Sequence, residues 1–191
     1  MQSRYSRATA LAGALLLLSA CAGEGSAGVA VTSASPRSWT SLAVDCPPLT
    51  AQGFSSTTPF KSPATGLEEP GQLRVMCSYR HRPGEPPAVS TRLMIGLDAA
   101  NGDAASEVVT SDQARKKAAG QTVVELPGFE GLATASADGS GPVEVTTSSK
   151  NAWFFAIVVF DDSVESDAEI AEHADVLTTI LRDMTGNLRS A

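Results

Sequence analysis

Apolar and polar residues alternate over two neighbouring stretches in the first half of the chain. Residues 73–79 carry Leu, Val, Cys and Tyr at every second position, and residues 89–97 repeat the alternation with Val, Thr, Leu, Ile and Leu. A period of two is typical of strands that bury one face. Because the intervening residues 82–87 are rich in Pro and Gly, the pattern predicts an antiparallel hairpin with Cys77 on the buried face.

The second half of the chain predicts further strands. Residues 121–126 and 132–137 each have the length and composition of a short strand. A strand that begins near Val143 leads through a turn at residues 148–151 into residues 153–160. This last stretch is apolar on both faces, so it is predicted to be an interior strand that is covered on both sides.

The first of two predicted helices runs from about residue 104 to residue 119. Residues 101–103 offer an N-cap, and Gly120 is suited to end the helix. The basic residues 115–117 lie in the last turns, where the helix dipole favours cations. The dipole explains these charges without any ligand.

The second predicted helix lies near the C-terminus. Ser166 and Glu169 form a capping box, apolar residues then recur at spacings of three and four as far as Met184, and Gly186 follows. The patterns together predict an α+β domain. We expect an antiparallel β-sheet of about five to six strands with two helices packed on it, the second helix being C-terminal.

The N-terminal residues have a different pattern. Arg4 and Arg7 precede an uncharged apolar run at residues 8–18, which is typical of a secretory signal peptide and too short to span a bilayer. The next residues are mostly Gly, Ser, Ala and Thr and predict a flexible tether, in which Trp39 either docks on the domain edge or is solvated. We expect a signal peptide at 1–20, a lipidated Cys and tether at 21–44, one domain at 45–187 and a tail at 188–191.

The end of the apolar run resembles the lipobox of bacterial lipoproteins. Leu18-Ser19-Ala20-Cys21 matches it at four positions. The resemblance implies that Cys21 carries a thioether-linked diacylglycerol, with acyl chains such as palmitate, on the outer face of the cytoplasmic membrane. Two or more acyl chains hold a protein stably on a membrane, so the membrane is an expected partner through the lipid anchor. The alternative is an ordinary secretory signal that ends near a cysteine.

Charge and cysteine count narrow the classes of function. Removing residues 1–20 leaves 12 basic and 21 acidic residues, a formal charge of −9, which is unfavourable for nucleic acid. If Cys21 is acylated, Cys46 and Cys77 are the remaining thiols. An even count in an exported chain predicts one disulfide between them.

No established catalytic motif occurs in the sequence. It has neither a Gly-rich phosphate loop nor a G-x-S-x-G elbow, and the acidic residues between 161 and 169 lack the spacing of a calcium loop. We therefore expect no catalytic residue, no metal and no cofactor. The competing hypothesis is an envelope hydrolase that uses His81 or His173 as its base.

A sheet packed under helices often leaves an apolar cleft between the two layers. Four large side chains are available to line such a ligand pocket: Met94, Trp153, Phe155 and Phe160. The alternative is that all four are ordinary core residues.

Several motifs also resemble small actinobacterial lipoproteins that are grouped only as a domain of unknown function. Those proteins typically pair an early cysteine with one that precedes an aromatic residue on a strand, as Cys46 and Cys77-Ser78-Tyr79 do here. They carry a Gly-rich turn, matched to residues 128–133, and close on an amphipathic helix, as residues 170–184 do. The element order is similar to PsbP-like α+β domains, which are noncatalytic binding or assembly modules.

These observations predict a membrane-anchored extracytoplasmic lipoprotein that acts as a noncatalytic binding or accessory module of the cell envelope. Its partner would be an envelope protein or a small apolar ligand. A sensor domain for a neighbouring membrane protein remains a further alternative beside the hydrolase.

Overall fold

The computed structural model describes residues 38–62, 70–98, 104–129 and 131–190. The predicted signal peptide, Cys21 and most of the predicted tether lie outside these ranges, so lipidation of Cys21 stays a prediction. The described residues form strands and helices in the following order: β1 (Trp39–Leu42), β2 (Thr58–Lys61), β3 (Gln72–Arg80), β4 (Val89–Gly96), α1 (Ala104–Ala118), β5 (Thr122–Glu125), β6 (Ala133–Ala137), β7 (Pro142–Ser149), β8 (Ala152–Val159), α2 (Asp167–Glu172), α3 (Ala174–Thr185) and β9 (Leu188–Ser190).

Seven of the strands form one antiparallel sheet in the order β2-β3-β4-β8-β7-β6-β5. The predicted α+β class and antiparallel sheet are therefore confirmed, but the sheet is larger than five to six strands. The additional strand is β2, which lies at the sheet edge beside β3. All four of its residues are exposed, so it has no apolar alternation by which the sequence could predict it.

The predicted C-terminal helix is divided into α2 and α3 at His173, which gives three described helices instead of two. The predicted capping box is present at the start of α2, where the Ser166 side chain accepts a hydrogen bond from the backbone N–H of Glu169. The break at His173 lets α2 and α3 follow different parts of the sheet. The α2 helix packs on β5 and β6, and α3 packs on β7 and β8.

A second, two-stranded sheet pairs β1 with β9. These strands lie where the sequence predicted the end of the tether and the C-terminal tail. Trp39 docks on the domain: its backbone N–H donates to Asn151 Oδ1 at 2.8 Å, and Asn151 Nδ2 donates back to the Trp39 carbonyl at 2.9 Å. The Lys150 ammonium lies 4.4 Å from the centre of the indole ring. The structure thus decides between the two alternatives for this residue.

The main core lies between one face of the large sheet and α3. The inward side chains of α3 include Leu177, Ile180, Leu181 and Met184, all of which are buried. On β3, Cys77 is only 2% exposed, as the alternation predicted. Cys77 forms the predicted disulfide with Cys46, which attaches the segment before β2 to the core.

The opposite face of the sheet is covered by α1, which packs against β5, β6, β7 and β8. The strand β8 is interior, between β4 and β7, as predicted. Its alternate residues Trp153, Phe155 and Ile157 are only partly buried, however, so coverage of this second face is incomplete. A cavity remains there between α1 and the sheet.

Candidate functional site

The helix α1 is fixed to the sheet by charged residues in its C-terminal half. The Lys116 side chain is 1% exposed, and its Nζ lies 2.8 Å from Asp112 Oδ2 and 2.9 Å from Glu144 Oε2 on β7. Thr146 Oγ1 donates to Asp112 at 3.3 Å. These contacts hold the C-terminal half of the helix over β7.

The neighbouring cations Lys116 and Arg115 affect the pKa of Asp112. Burial raises the pKa of its carboxyl, but the hydrogen bonds and charges of Lys116 and Arg115 lower it more, so the pKa lies below its ordinary value. The ionised form is therefore favoured in the folded protein. The helix dipole alone therefore does not account for the basic residues 115–117, because Lys116 points into the protein and contacts two carboxylates.

A cavity of about 250 Å³ lies beside the N-terminal half of α1. Its floor comes from alternate residues of β4 and β8, which the strand register places side by side: Met94 faces Trp153, and Arg92 faces Phe155. Ala105 and Val108 of α1 form the opposite wall. The described residues that line the cavity are Gln72, Arg92, Met94, Gly96, Ala105, Val108, Asn151 and Trp153.

The described lining of the cavity is mostly apolar, and none of these residues carries a carboxylate. Asn151 is already engaged, because its side chain bonds both backbone groups of Trp39 and donates to the Gly96 carbonyl at 2.6 Å. Two other polar groups are uncommitted within the described residues. The Trp153 Nε1–H is buried without a hydrogen-bond acceptor, and Arg92 is exposed without an ion pair.

The four side chains predicted to line a ligand pocket do not all meet. Met94 and Trp153 line the cavity. Phe155 lies beside it, stacked with Trp153 at 6.2 Å between ring centres and 5.9 Å from Lys116 Nζ. Phe160 follows the end of β8 and packs elsewhere, 5.9 Å from Phe54.

Arg92, Ala105 and Val108 were not predicted from the sequence as lining residues. A signal for Arg92 was available, because it shares the parity of Met94 on β4 and must lie on the same face. No comparable signal existed for the two residues of α1. Their position depends on how the helix is rotated over the sheet, which the contacts of Lys116 determine.

The two histidines proposed for a hydrolase lie at opposite ends of one row of rings. His173 stacks on Phe160 at 3.9 Å, Phe160 contacts Phe54, and Phe54 stacks on His81 at 6.4 Å. Ser56 Oγ lies 3.3 Å from His81 Nδ1. Within the described residues, no hydrogen bond joins either imidazole to a carboxylate, so neither has the third group that orients the base of a catalytic triad.

Glu169, in the first turn of α2, caps the start of that helix. Backbone hydrogen bonds from Glu165 and Ser166, with one from the Ser166 hydroxyl, lower the pKa of Glu169. Nowhere in the described part of the chain do three or more His, Cys, Asp or Glu residues come together as they would around a metal ion. Among the described helices, none is long and apolar enough to cross a bilayer.

The chain was compared with protein-family models, curated proteins and solved structures. None of them matches it. A functional proposal therefore starts from the geometry of the cavity and from the chemistry of its lining.

Proposed function

We propose that this protein is a noncatalytic binding module of the cell envelope, which takes a small apolar ligand into the cavity between α1 and the sheet. The observation that carries the proposal is the cavity itself, in which Met94, Trp153 and Val108 present apolar surface around about 250 Å³ of space. Ligand sites are typically concave and apolar with few polar groups. This cavity has that character.

The proposal includes attachment to the outer face of the cytoplasmic membrane through a lipid on Cys21. The lipobox supports this location, and the Cys46–Cys77 disulfide is compatible with an extracytoplasmic compartment. Metabolic labelling with radioactive palmitate tests the lipid on Cys21. We expect labelling of the wild type and none of Cys21→Ala, and equal labelling of the two would contradict the anchor.

The size of the cavity limits the ligand. At about 30 Å³ per water, the space equals roughly eight water molecules, which corresponds to an apolar body of about eight carbon atoms. Burying each CH₂ gains about 0.8 kcal/mol, so such a body gains at most about 6 kcal/mol before the cost of association. Binding of a purely apolar probe is therefore expected to be weak, in the millimolar range.

Trp153 offers a direct measurement of binding. In a Trp39→Phe background, Trp153 is the only tryptophan, and its fluorescence should change saturably on titration with 1-octanol. Val108→Ser removes part of the apolar wall and should weaken the response. Val159→Ser is a matched control, because Val108 and Val159 are similarly exposed, at 40% and 46%, and Val159 does not line the cavity.

Equal weakening by both substitutions, or a response that does not saturate, would overturn the proposal. The distance from Ser56 Oγ to His81 Nδ1 favours one competing function, an envelope hydrolase. Turnover of p-nitrophenyl esters tests it. Turnover that is lost in both Ser56→Ala and His81→Ala would replace the noncatalytic proposal with the hydrolase.

A further inference from the structure

The structure also indicates the chemical class of the ligand. We propose that the cavity binds an amphipathic anion, a molecule with a short apolar tail and a carboxylate or phosphate head, and that Arg92 binds the head. This inference rests on the proposed function, because it concerns the same cavity. Three observations carry it: the charge of the lining, the state of the Trp153 indole and the size of the space.

The charge of the lining is opposite to that of the protein. The chain has a formal charge of −7, yet the described residues that line the cavity include one arginine and no acidic residue. The cross-strand neighbours of Arg92 are Met76 on β3 and Phe155 on β8, neither of which can neutralise it. An arginine offers several N–H donors that fit two oxygens of a carboxylate or phosphate at once. The site is thus complementary to an anion.

The indole of Trp153 requires a hydrogen-bond acceptor. Its Nε1–H is buried and has no partner among the described residues, whereas buried tryptophans usually find one. The indole lines the same cavity as Arg92, since Trp153 pairs with Met94 two residues along β4. A head group with several acceptor oxygens could bind Arg92 and also satisfy this donor. A hydrocarbon without a head group leaves it unsatisfied.

The geometry also separates the two parts of the ligand. Arg92 is exposed, whereas Ala105 is 4% exposed and Gly96 is buried. An amphiphile would therefore place its tail between α1 and the sheet and its head near Arg92, at the solvent side. A tail of about eight carbons fits the volume.

The test compares probes that share a tail and differ in the head. In the Trp39→Phe background, Trp153 fluorescence is titrated with octanoate, octyl phosphate, 1-octanol and octyltrimethylammonium. We expect one or both anions to bind about tenfold more tightly than octanol, as a hydrogen-bonded charge pair at a partly exposed site suggests. Raising the salt concentration should weaken the anions and leave octanol unchanged, because salt screens only the charged interaction. The two anions separate a carboxylate site from a phosphate site.

Two substitutions assign the effect to Arg92. Arg92→Gln should bring the affinity for octanoate or octyl phosphate down to that for octanol. Arg82→Gln is the control, because Arg82 is an exposed arginine in the β3–β4 turn, where it pairs with Glu85, and does not line the cavity. In a ¹⁵N-labelled Trp39→Phe protein, the indole N–H resonance of Trp153 should move farther downfield with the anion than with octanol, because the octanol hydroxyl is a weaker acceptor than an anionic oxygen.

The outcomes distinguish the two proposals. If octanol and the anions bind equally, or if the cationic probe binds best, the inference about the head group is wrong and the apolar cavity stands. If no probe binds, the proposed function fails as well. Loss of anion binding in Arg82→Gln to the same extent as in Arg92→Gln would also overturn the role of Arg92.

Discussion

Replacing Lys116 with methionine tests how α1 is held over the sheet. Methionine keeps the length and much of the volume of the side chain and removes its charge. The substitution leaves two carboxylates that had faced the ammonium, those of Asp112 and Glu144, at 2.8 and 2.9 Å. The side chain of Lys116 is 1% exposed, so water cannot take the place of the lost cation without movement of the helix.

The expected loss of stability follows from the burial of the three partners. Removing one partner of a fully buried ion pair costs about 3–5 kcal/mol. Here the carboxylates are partly solvated, with Asp112 18% and Glu144 39% exposed, and Asp112 keeps its contact with Arg115. We therefore expect the free energy of unfolding to fall by about 2–3 kcal/mol at pH 7, a large part of the stability of a typical domain.

Urea unfolding followed by circular dichroism measures this change as a shift of the midpoint at constant slope. Lys117→Met is the matched control, because Lys117 lies in the same turn of α1 and is exposed. Its effect should stay within about 0.5 kcal/mol. A Lys116→Met protein that unfolds at the wild-type midpoint, or a control that loses as much stability, would refute the reasoning.

The stabilities of the wild type and of Lys116→Met should depend differently on pH. The pKa of Asp112 is lower in the folded protein than its ordinary value of 3.8, so its stabilising contribution is present above that pH and is lost as the pH falls through the folded value. Because Lys116 is a main cause of the lowered pKa, Lys116→Met has less of this contribution to lose. The difference in stability between the two proteins should shrink on acidification below about pH 4. A difference that grows in acid would contradict the assignment.

Further substitutions at three places test other parts of the structure, by the same unfolding measurement and, for the last, by octanol binding. Replacing Cys46 and Cys77 together by serine should cost about 3–4 kcal/mol, as expected for a closed loop with a sequence separation of 31; a change below 1 kcal/mol would be contrary. Asn151→Ala should cost about 3 kcal/mol, because it leaves buried backbone groups unpaired, and Asn151→Asp should recover only part of it. Ala105→Leu should abolish octanol binding without loss of stability, and unchanged binding would place the ligand elsewhere.

Strands whose burial alternates along a few consecutive residues gave the clearest signal in the sequence. β3 and β4 are examples, since a period of two also assigned Cys77 to the core and Met94 to the other face. β1 and β9 could not be found in this way. They are short, and each is a strand only because it pairs with a partner about 150 residues away in the chain.

Prediction of the site had the same limit, because patterns of consecutive residues do not show which distant segments of the chain meet. Met94 and Trp153 line the same cavity, whereas Phe160 lies elsewhere because it follows the end of β8 and turns to the opposite side. The orientation of α1 could not be predicted either. Its sheet-facing residues are Ala105, Val109, Asp112 and Lys116, a mixture of small and charged side chains that has no amphipathic pattern.

The composition of that helix face also explains why a cavity exists. Lys116 and Asp112 fix the C-terminal half of α1 through charges, which requires no large apolar surface there. The N-terminal half contributes Ala105 to the cavity lining, and the sheet contributes Gly96. Two of the smallest residues therefore face the same space. A larger side chain at either position would fill the space and add buried apolar area, which is usually stabilising. A chain that keeps small residues around a buried, unpaired indole forgoes that stability, and the proposed ligand, apolar with an acceptor group, would supply the missing contacts.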